Sequence, residues 1–420
     1  MDGGFDLDAL LRPVRAQRAD PTGQVLSGCR LERVLGRGAM GEAWLARREA
    51  DGQPVVVKLL DPVALADAER RARARREWAT LCKVRPTPHV VQVLGVDLEH
   101  ERPHLVLELV PGEGLHALLR RRGRLPWSDA ARVARDLALG LAAVHEQGVV
   151  HRDVKPANAI VRPDGAATLV DFGLAKDLFA TSVTSPQMIL GTAAYMAPEQ
   201  WADAATRDGR CDLFALGATL YELVAGAPPF GAGQDPAAVE EAATTGDYAP
   251  LEEAAPGAPA ELALVVDLLL APDPAWRYPR ADLAARDLEA VLRGGACSAP
   301  CLLAADGRRW PLVRGRRWTL GSAPDCQVPL PPPASPRHAQ LRREAAGYTL
   351  VDLRGSAGTR VQGAPLAGPR ALAPGDALDL AGVALRFVDP LRTAPVAATE
   401  VVDARREVAP APLVQALAAE

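Results

Sequence analysis

His151-Arg152-Asp153-Val154-Lys155-Pro156-Ala157-Asn158 is the stretch on which the reading of this chain turns, and Asp171-Phe172-Gly173 and Ala197-Pro198-Glu199 follow it in order. Upstream stands a glycine-rich run, Gly36-Arg37-Gly38-Ala39-Met40-Gly41-Glu42-Ala43, and Lys58 closes an apolar segment 22 residues after Gly36. Glycines let backbone N–H groups approach phosphate oxygens, and a compact ammonium then neutralises two of the phosphates. The run bridges two strand-like segments and does not open a helix, which disfavours a dinucleotide-binding fold. Of 48 basic residues only Lys58, Lys83, Lys155 and Lys176 are lysines. In a chain that takes arginine almost everywhere, a lysine marks either a place where a compact ammonium has a use of its own or a residue left by drift.

Working outward, the 420 residues are 48 % apolar and 24 % charged, with a formal net charge of −4. That composition fits two or three globular domains, excludes a mainly disordered chain and argues against a general nucleic-acid binder. No window offers the ~18 uninterrupted apolar residues of a membrane span. Asp2, Asp6 and Asp8 stand where a secretory leader needs basic residues. Six cysteines are too few for a disulfide framework, so reduced thiols and a cytoplasmic location are expected.

The periodicity divides the chain. Residues 1–27 read as an N-terminal arm. Cys29 to Leu60 alternates apolar and polar residues around glycines, residues 64–83 are Ala- and Arg-rich and helical, and strands follow near 90–96 and 104–110. Beyond Pro111 the period becomes helical: Val133, Leu137, Leu141 and Val144 recur at three- and four-residue steps before Gly148, and helical text continues to about Arg293. Residues 294–300 read as a linker. Residues 301–390 carry short strands broken by Gly, Pro and Asp, the pattern of a β-sandwich. Residues 391–420 read as a flexible tail.

With these motifs in their order, residues 28–293 resemble the eukaryotic-like Ser/Thr protein kinases of bacteria. The expected fold class is α+β: a bilobal protein kinase fold, with a β-rich N-lobe and an α-rich C-lobe, followed by a small all-β sandwich. The resemblance implies an ATP- and Mg2+- (or Mn2+-) dependent, non-specific serine/threonine protein kinase. Asp153 would accept or orient the substrate hydroxyl proton, Lys155 would place a cation on the transferring γ-phosphate, and Asn158 and Asp171 would hold the metal ion. The ATP site would comprise Leu35, Gly36, Gly38, Gly41, Ala43 and Lys58, with the adenine against Glu108 and Val110 and Leu107 as gatekeeper. Ala43 stands where the family prefers valine. Glu77, nineteen residues after Lys58, is the expected acidic partner of that lysine, with Glu69 as competitor.

Lys155 and Gly191-Thr192 resemble Ser/Thr and not tyrosine kinases, with Thr192 bonding near Asp153 and Lys155. Glu199 would pair with Arg277, and Asp212 would brace the catalytic loop. Arg152 places a guanidinium beside Asp153, and in the family such an arginine commonly awaits a phosphate on the activation segment. Thr184 fits the autophosphorylated position best, with Thr181 nearby, and transient homodimers would serve that reaction. The arginines at 70, 71, 73, 75 and 76 read first as a solvated face. The alternative from another class is a non-catalytic pseudokinase scaffold acting through the C-terminal module.

Residues 318–388 are similar to a forkhead-associated domain, through Gly321, Ser335-Pro336-Arg337-His338, Gln362-Gly363 and Pro374-Gly375-Asp376. The resemblance implies phosphothreonine peptides as partners, but the ligand chemistry is incomplete. The family's arginine after the first glycine is Ser322, the arginine after the motif serine is Pro336, and two asparagines are Ala357 and Gln362. Losing the main guanidinium costs ~1.5–3 kcal/mol of charge-assisted bonding. Ser335, Arg337, Thr359 and Arg360 are the candidates to compensate. Residues 300–390 hold twelve Arg against seven Asp and Glu, which suits an anionic partner.

Overall fold

The computed structural model describes residues 20–38, 41–61, 65, 68–172, 192–202, 208–231, 235–353, 355 and 357–393. Thr181 and Thr184 lie outside them. The first lobe is an antiparallel sheet of six strands, its spatial order running Val25–Leu26, Cys29–Gly38, Gly41–Arg48, Pro54–Leu60, His104–Glu108, Val93–Asp97. Two-residue alternation sorts its side chains. Val55, Val57 and Leu59 join Trp44, Ala46 and Val106 on one face, whereas Leu60, Leu105 and Leu107 join the other. Lys58, one residue from Val57 and Leu59, is thereby delivered to the second face, and Ala43 is its direct cross-strand partner.

The helix expected over 64–83 is observed at Ala68–Leu81, and Ala74, Trp78 and Leu81 bury against this second face. In the other lobe, the helix Trp127–His145 buries Val133, Leu137, Leu141 and Val144, the set its periodicity marked. It stops before Gly148, whose φ of 72° and N–H bond to the His145 carbonyl suit a residue without a Cβ. The helix Arg210–Ala225 is apolar nearly all round and buried for most of its length, so it forms the axis of the C-lobe. Gly217 sits on that axis because a Cβ there would come within 2.7 Å of the Leu269 Cβ.

Arg277 ties the lower C-lobe together. Its guanidinium is fully buried, and its five N–H donors are all used: on the two oxygens of Glu199 at 2.6 and 2.8 Å and on the carbonyls of Ala271, Arg210 and Pro272. The ring of Phe214 lies 4.9 Å from its Cζ. A buried charge persists only with this degree of pairing.

The C-terminal sandwich has two sheets, one containing Cys301–Ala304, Ala377–Leu380 and Val383–Val388, the other Arg317–Gly321, Ala339–Glu344 and Gly347–Asp352. Trp318, Leu320, Leu350, Tyr348 and Phe387 fill the space between them. Before the sandwich, in the segment read as a linker, Cys297 and Ala299 are buried in the C-lobe core. The Ser298 hydroxyl bonds Asp287, and the Cys297 N–H bonds Glu261. The tail expected from 391 begins as a helical turn, Pro390–Thr393, with Leu391 buried. All six cysteines are free thiols. Among the described residues, no helix is long and apolar enough to cross a membrane.

Gly217→Ala tests the axis. The added methyl must displace Leu269, and a loss of about 1–3 kcal/mol is expected, read as a lower urea midpoint at unchanged m-value.

Candidate active site

The loop His151–Asn158 is positioned from beneath by Asp212, which is wholly buried near the start of the axial helix. Its carboxylate accepts the N–H of His151 at 2.7 Å, the N–H of Arg152 at 2.6 Å and His145 Nε2 at 2.8 Å. A carboxylate only accepts, so His145 carries its proton on Nε2. Burial alone would raise the Asp212 pKa, but these donors outweigh it and hold the carboxyl below the ordinary value of 3.8. Arg152 has a φ of 62°, a left-handed conformation that costs a non-glycine residue about 1–2 kcal/mol. The paired N–H bonds to Asp212 offset that strain and turn the chain so that Asp153 enters the cleft.

His151 is fully buried, its ring 4.7 Å from that of Phe172, and burial pushes its pKa down, so the imidazole is neutral. From Lys155 the backbone runs into a 3-10 turn, Pro156–Asn158. That turn brings Asn158 Nδ2 to 2.8 Å from the Asp153 carboxylate and 2.7 Å from the Asp153 carbonyl. Lys155 Nζ lies 3.0 Å from Asp153 Oδ2 and donates at 3.0 Å to Thr192 Oγ1. Across the cleft Lys58 forms an ion pair with Asp171, whose side chain is 46 % exposed. Five residues named from the sequence, Lys58, Asp153, Lys155, Asn158 and Asp171, and with them Thr192, therefore line one cleft. Leu107, Val110 and Phe172 belong to the apolar cluster behind it.

The rest of the ATP set is on the first lobe. Gly36 pairs with Ala43 and Gly38 with Gly41 along the hairpin of Cys29–Gly38 and Gly41–Arg48, and Leu35 is exposed just before Gly36, at a strand irregularity between Val34 and Gly36. Glu108 ends its strand two residues before Val110. Glu77 lies within the helix Ala68–Leu81, with its side chain outside the described set.

The donor set suits a hard cation. With its amide nitrogen turned to Asp153, Asn158 has its amide oxygen as remaining acceptor, and Asp171 offers carboxylate oxygens. Residues 29–285, which carry these parts in this order, match the "Protein kinase domain" family. The chain belongs to the protein kinase family. The serine/threonine-protein kinase PknL of Mycobacterium tuberculosis is 36 % identical over 239 residues, covering 57 % of this chain and 59 % of that protein. PkaB of Streptomyces coelicolor is 39 % identical over 261 residues, covering 60 % of each. The chain thus spans about 60 % of the length of these curated relatives. The crystal structure of the M. tuberculosis PknI kinase domain superposes with a TM-score of 0.53 at 26 % identity, over 66 % of this chain and all of that one.

A second match, to the FHA domain, covers residues 318–381 of this chain. There the phosphopeptide candidates do not converge. Thr359 requires a correction: it faces inward from a three-residue strand, 3 % exposed, with its hydroxyl enclosed, and it has no route to a ligand. Arg337 is exposed and paired with Asp325 at 2.7 Å. Arg360 is exposed and leans on the Gly363 carbonyl, and Ser335 donates its N–H to His338 at 3.3 Å.

Sequence reasoning missed His145 as a donor to Asp212, and the bond of Tyr195 to Glu222 at 2.5 Å. Burial raises the Glu222 carboxyl. Neither pair had a local signal, because their members are 67 and 27 residues apart.

Asp212→Asn is the informative variant. An amide cannot accept two N–H groups and the His145 proton together, so one buried donor loses its partner at a cost of about 1–3 kcal/mol. The Asp212 pKa is depressed in the folded state, so its contribution is present above the unfolded value of 3.8 and is lost as pH falls below it. Urea melts of wild type and variant should therefore differ most at neutral pH and draw together as the pH falls well below 3.8.

Proposed function

We propose that this chain is an ATP-dependent serine/threonine protein kinase that transfers the γ-phosphoryl group to protein hydroxyls and phosphorylates its own activation segment. The observation that carries the reading is the shared bonding of Asp153, Lys155, Asn158 and Thr192, with Lys58 and Asp171 facing them.

Phosphoryl transfer has a loose transition state, so the chain's task is to place groups and neutralise charge. The adenine docks on the backbone of Glu108 and Val110, beneath Leu35 and Ala43. The glycines at 36, 38 and 41 bring N–H groups to the phosphates, and Lys58 meets them from the adjoining strand. A Mg2+ ion, or Mn2+ with the same oxygen ligands, would be held by Asn158 and Asp171 and would supply charge neutralisation on the phosphates. Asp153 orients the incoming hydroxyl and takes its proton. Lys155, already bound to Asp153 and Thr192, keeps an ammonium at the place where the γ-phosphoryl oxygens gather charge. The Thr192 contact favours a Ser/Thr hydroxyl donor. Thr184, then Thr181, are the expected autophosphorylation sites. A phosphate there would meet the positive field of Arg152, with transient pairing of two kinase domains supplying enzyme and substrate.

Label transfer from Mg-ATP to a generic protein substrate is the direct test. Asp153→Asn and Lys58→Met should each lower it by at least ~100-fold. Transfer that persists in both variants contradicts the assignment, and none in wild type favours the pseudokinase scaffold. Phosphopeptide mapping should place the first label at Thr184; its absence between 174 and 190 removes the regulatory part. Ala43→Val should restore ~1–2 kcal/mol of apolar contact to the adenine and lower the KM for ATP several-fold.

A further inference from the structure

We propose that the C-terminal sandwich is a brace built into the kinase C-lobe, one cooperative unit with it, and not a tethered reader of phosphothreonine. The two halves of this inference rest on opposite ends of the sandwich.

At the end facing the lobe, the contacts are reciprocal. Val313 and Leu391, from the sandwich side, are buried in the hydrophobic core of the C-lobe. Trp276, from the C-lobe, packs on the core of the sandwich. Its ring meets Tyr348 edge-on at 5.3 Å, and the guanidinium carbons of Arg343 and Arg392 lie 4.9 and 4.4 Å from its centre. Beside it, Arg314 grips Asp267 with Nε at 2.6 Å and a terminal nitrogen at 2.9 Å, and also reaches Glu252 at 2.9 Å. Asp267 is buried in the helix Ala260–Leu269, and its remaining partner is the Tyr248 hydroxyl at 2.8 Å. Without Arg314 the lobe would hold a buried carboxylate with no cation, an arrangement proteins avoid. Arg309 completes the joint on the Cys297 carbonyl at 3.0 Å and Glu261 at 3.4 Å.

None of this is needed to tether a module. Arg309, Val313, Arg314, Leu391 and Arg392 lie outside residues 318–381, which match the FHA family, so most of the joint is added to the shared sandwich frame, with Tyr348 and Arg343 contributed from within it. The lobe residues that receive it lie on 252–297, apart from the segments bearing Asp153, Lys155 and Asp171.

At the far end, the positions that would face a phosphate are committed internally. The Ser322 hydroxyl donates to the Ala334 carbonyl at 2.9 Å. Arg337 is neutralised by Asp325, and Thr359 is buried. Of the two candidate guanidiniums, Arg337 is ion-paired and Arg360 is exposed with a 3.4 Å contact to the Gly363 carbonyl, so the set of donors a dianion needs is reduced to one arginine among the described residues.

The inference does not depend on phosphoryl transfer, and it is tested without it. Calorimetry of the full chain should give one unfolding transition for both modules. Arg314→Ala and Arg343→Ala leave the sequence of the lobe intact, so neither can misfold it directly. Each should split the endotherm and lower the C-lobe transition by about 5–10 °C. Small-angle scattering should show a larger radius of gyration for the Arg314→Ala, Arg343→Ala double variant. Two independent transitions in wild type, or variants that melt and scatter like wild type, would overturn the brace. Titration of the full chain with phosphothreonine peptides should show no saturable binding near about 100 μM, and specific binding there would overturn the second half.

Discussion

The carboxylate of Asp212 accepts two consecutive backbone N–H groups, those of His151 and Arg152, while His145 donates to it from a third segment. Placed under the catalytic loop, it makes a left-handed Arg152 tolerable and fixes the direction in which the next residue, Asp153, leaves the core. Everything the site does then follows by short steps of chain. The extended Lys155 and the 3-10 turn to Asn158 bring an ammonium and an amide onto one carboxylate. The axial helix that carries Asp212 is the best-buried element of the lobe, so the loop inherits the rigidity of the core.

The same economy recurs lower in the lobe. Arg277 spends all five donors on the segments around Glu199, Arg210 and Ala271, and Arg314 closes over the buried Asp267 from the neighbouring module. In each case one guanidinium or carboxylate joins elements that are distant in sequence, and burial makes the join costly to undo. The first lobe relies on alternation instead: Val57 and Leu59 bury on one side of the strand, and Lys58 between them is left to the cleft.

Much of this was legible in the residues because the protein kinase family concentrates its motifs in short runs. The run His151–Asn158 places Asp153, Lys155 and Asn158 within one turn and its approach, so local sequence is enough. The scarcity of lysine pointed to Lys58 and Lys155, both in the cleft, whereas Lys83 is exposed with no role we can derive. Thr359 was misread because a three-residue strand gives too little alternation to tell its inner from its outer face. The module joint was illegible for a different reason. Arg314 and Asp267 are 47 residues apart with no pattern linking them, and small residues such as Cys297 and Ala299 read as linker until the helices they pack on are in place.

The central claim, that Asp212 anchors the catalytic loop to the core, is tested most directly by native-state hydrogen exchange at the His151 and Arg152 amides. Both should exchange only through opening within about 1–2 kcal/mol of global unfolding, like the axial helix itself. Exchange at rates typical of exposed loops would contradict it.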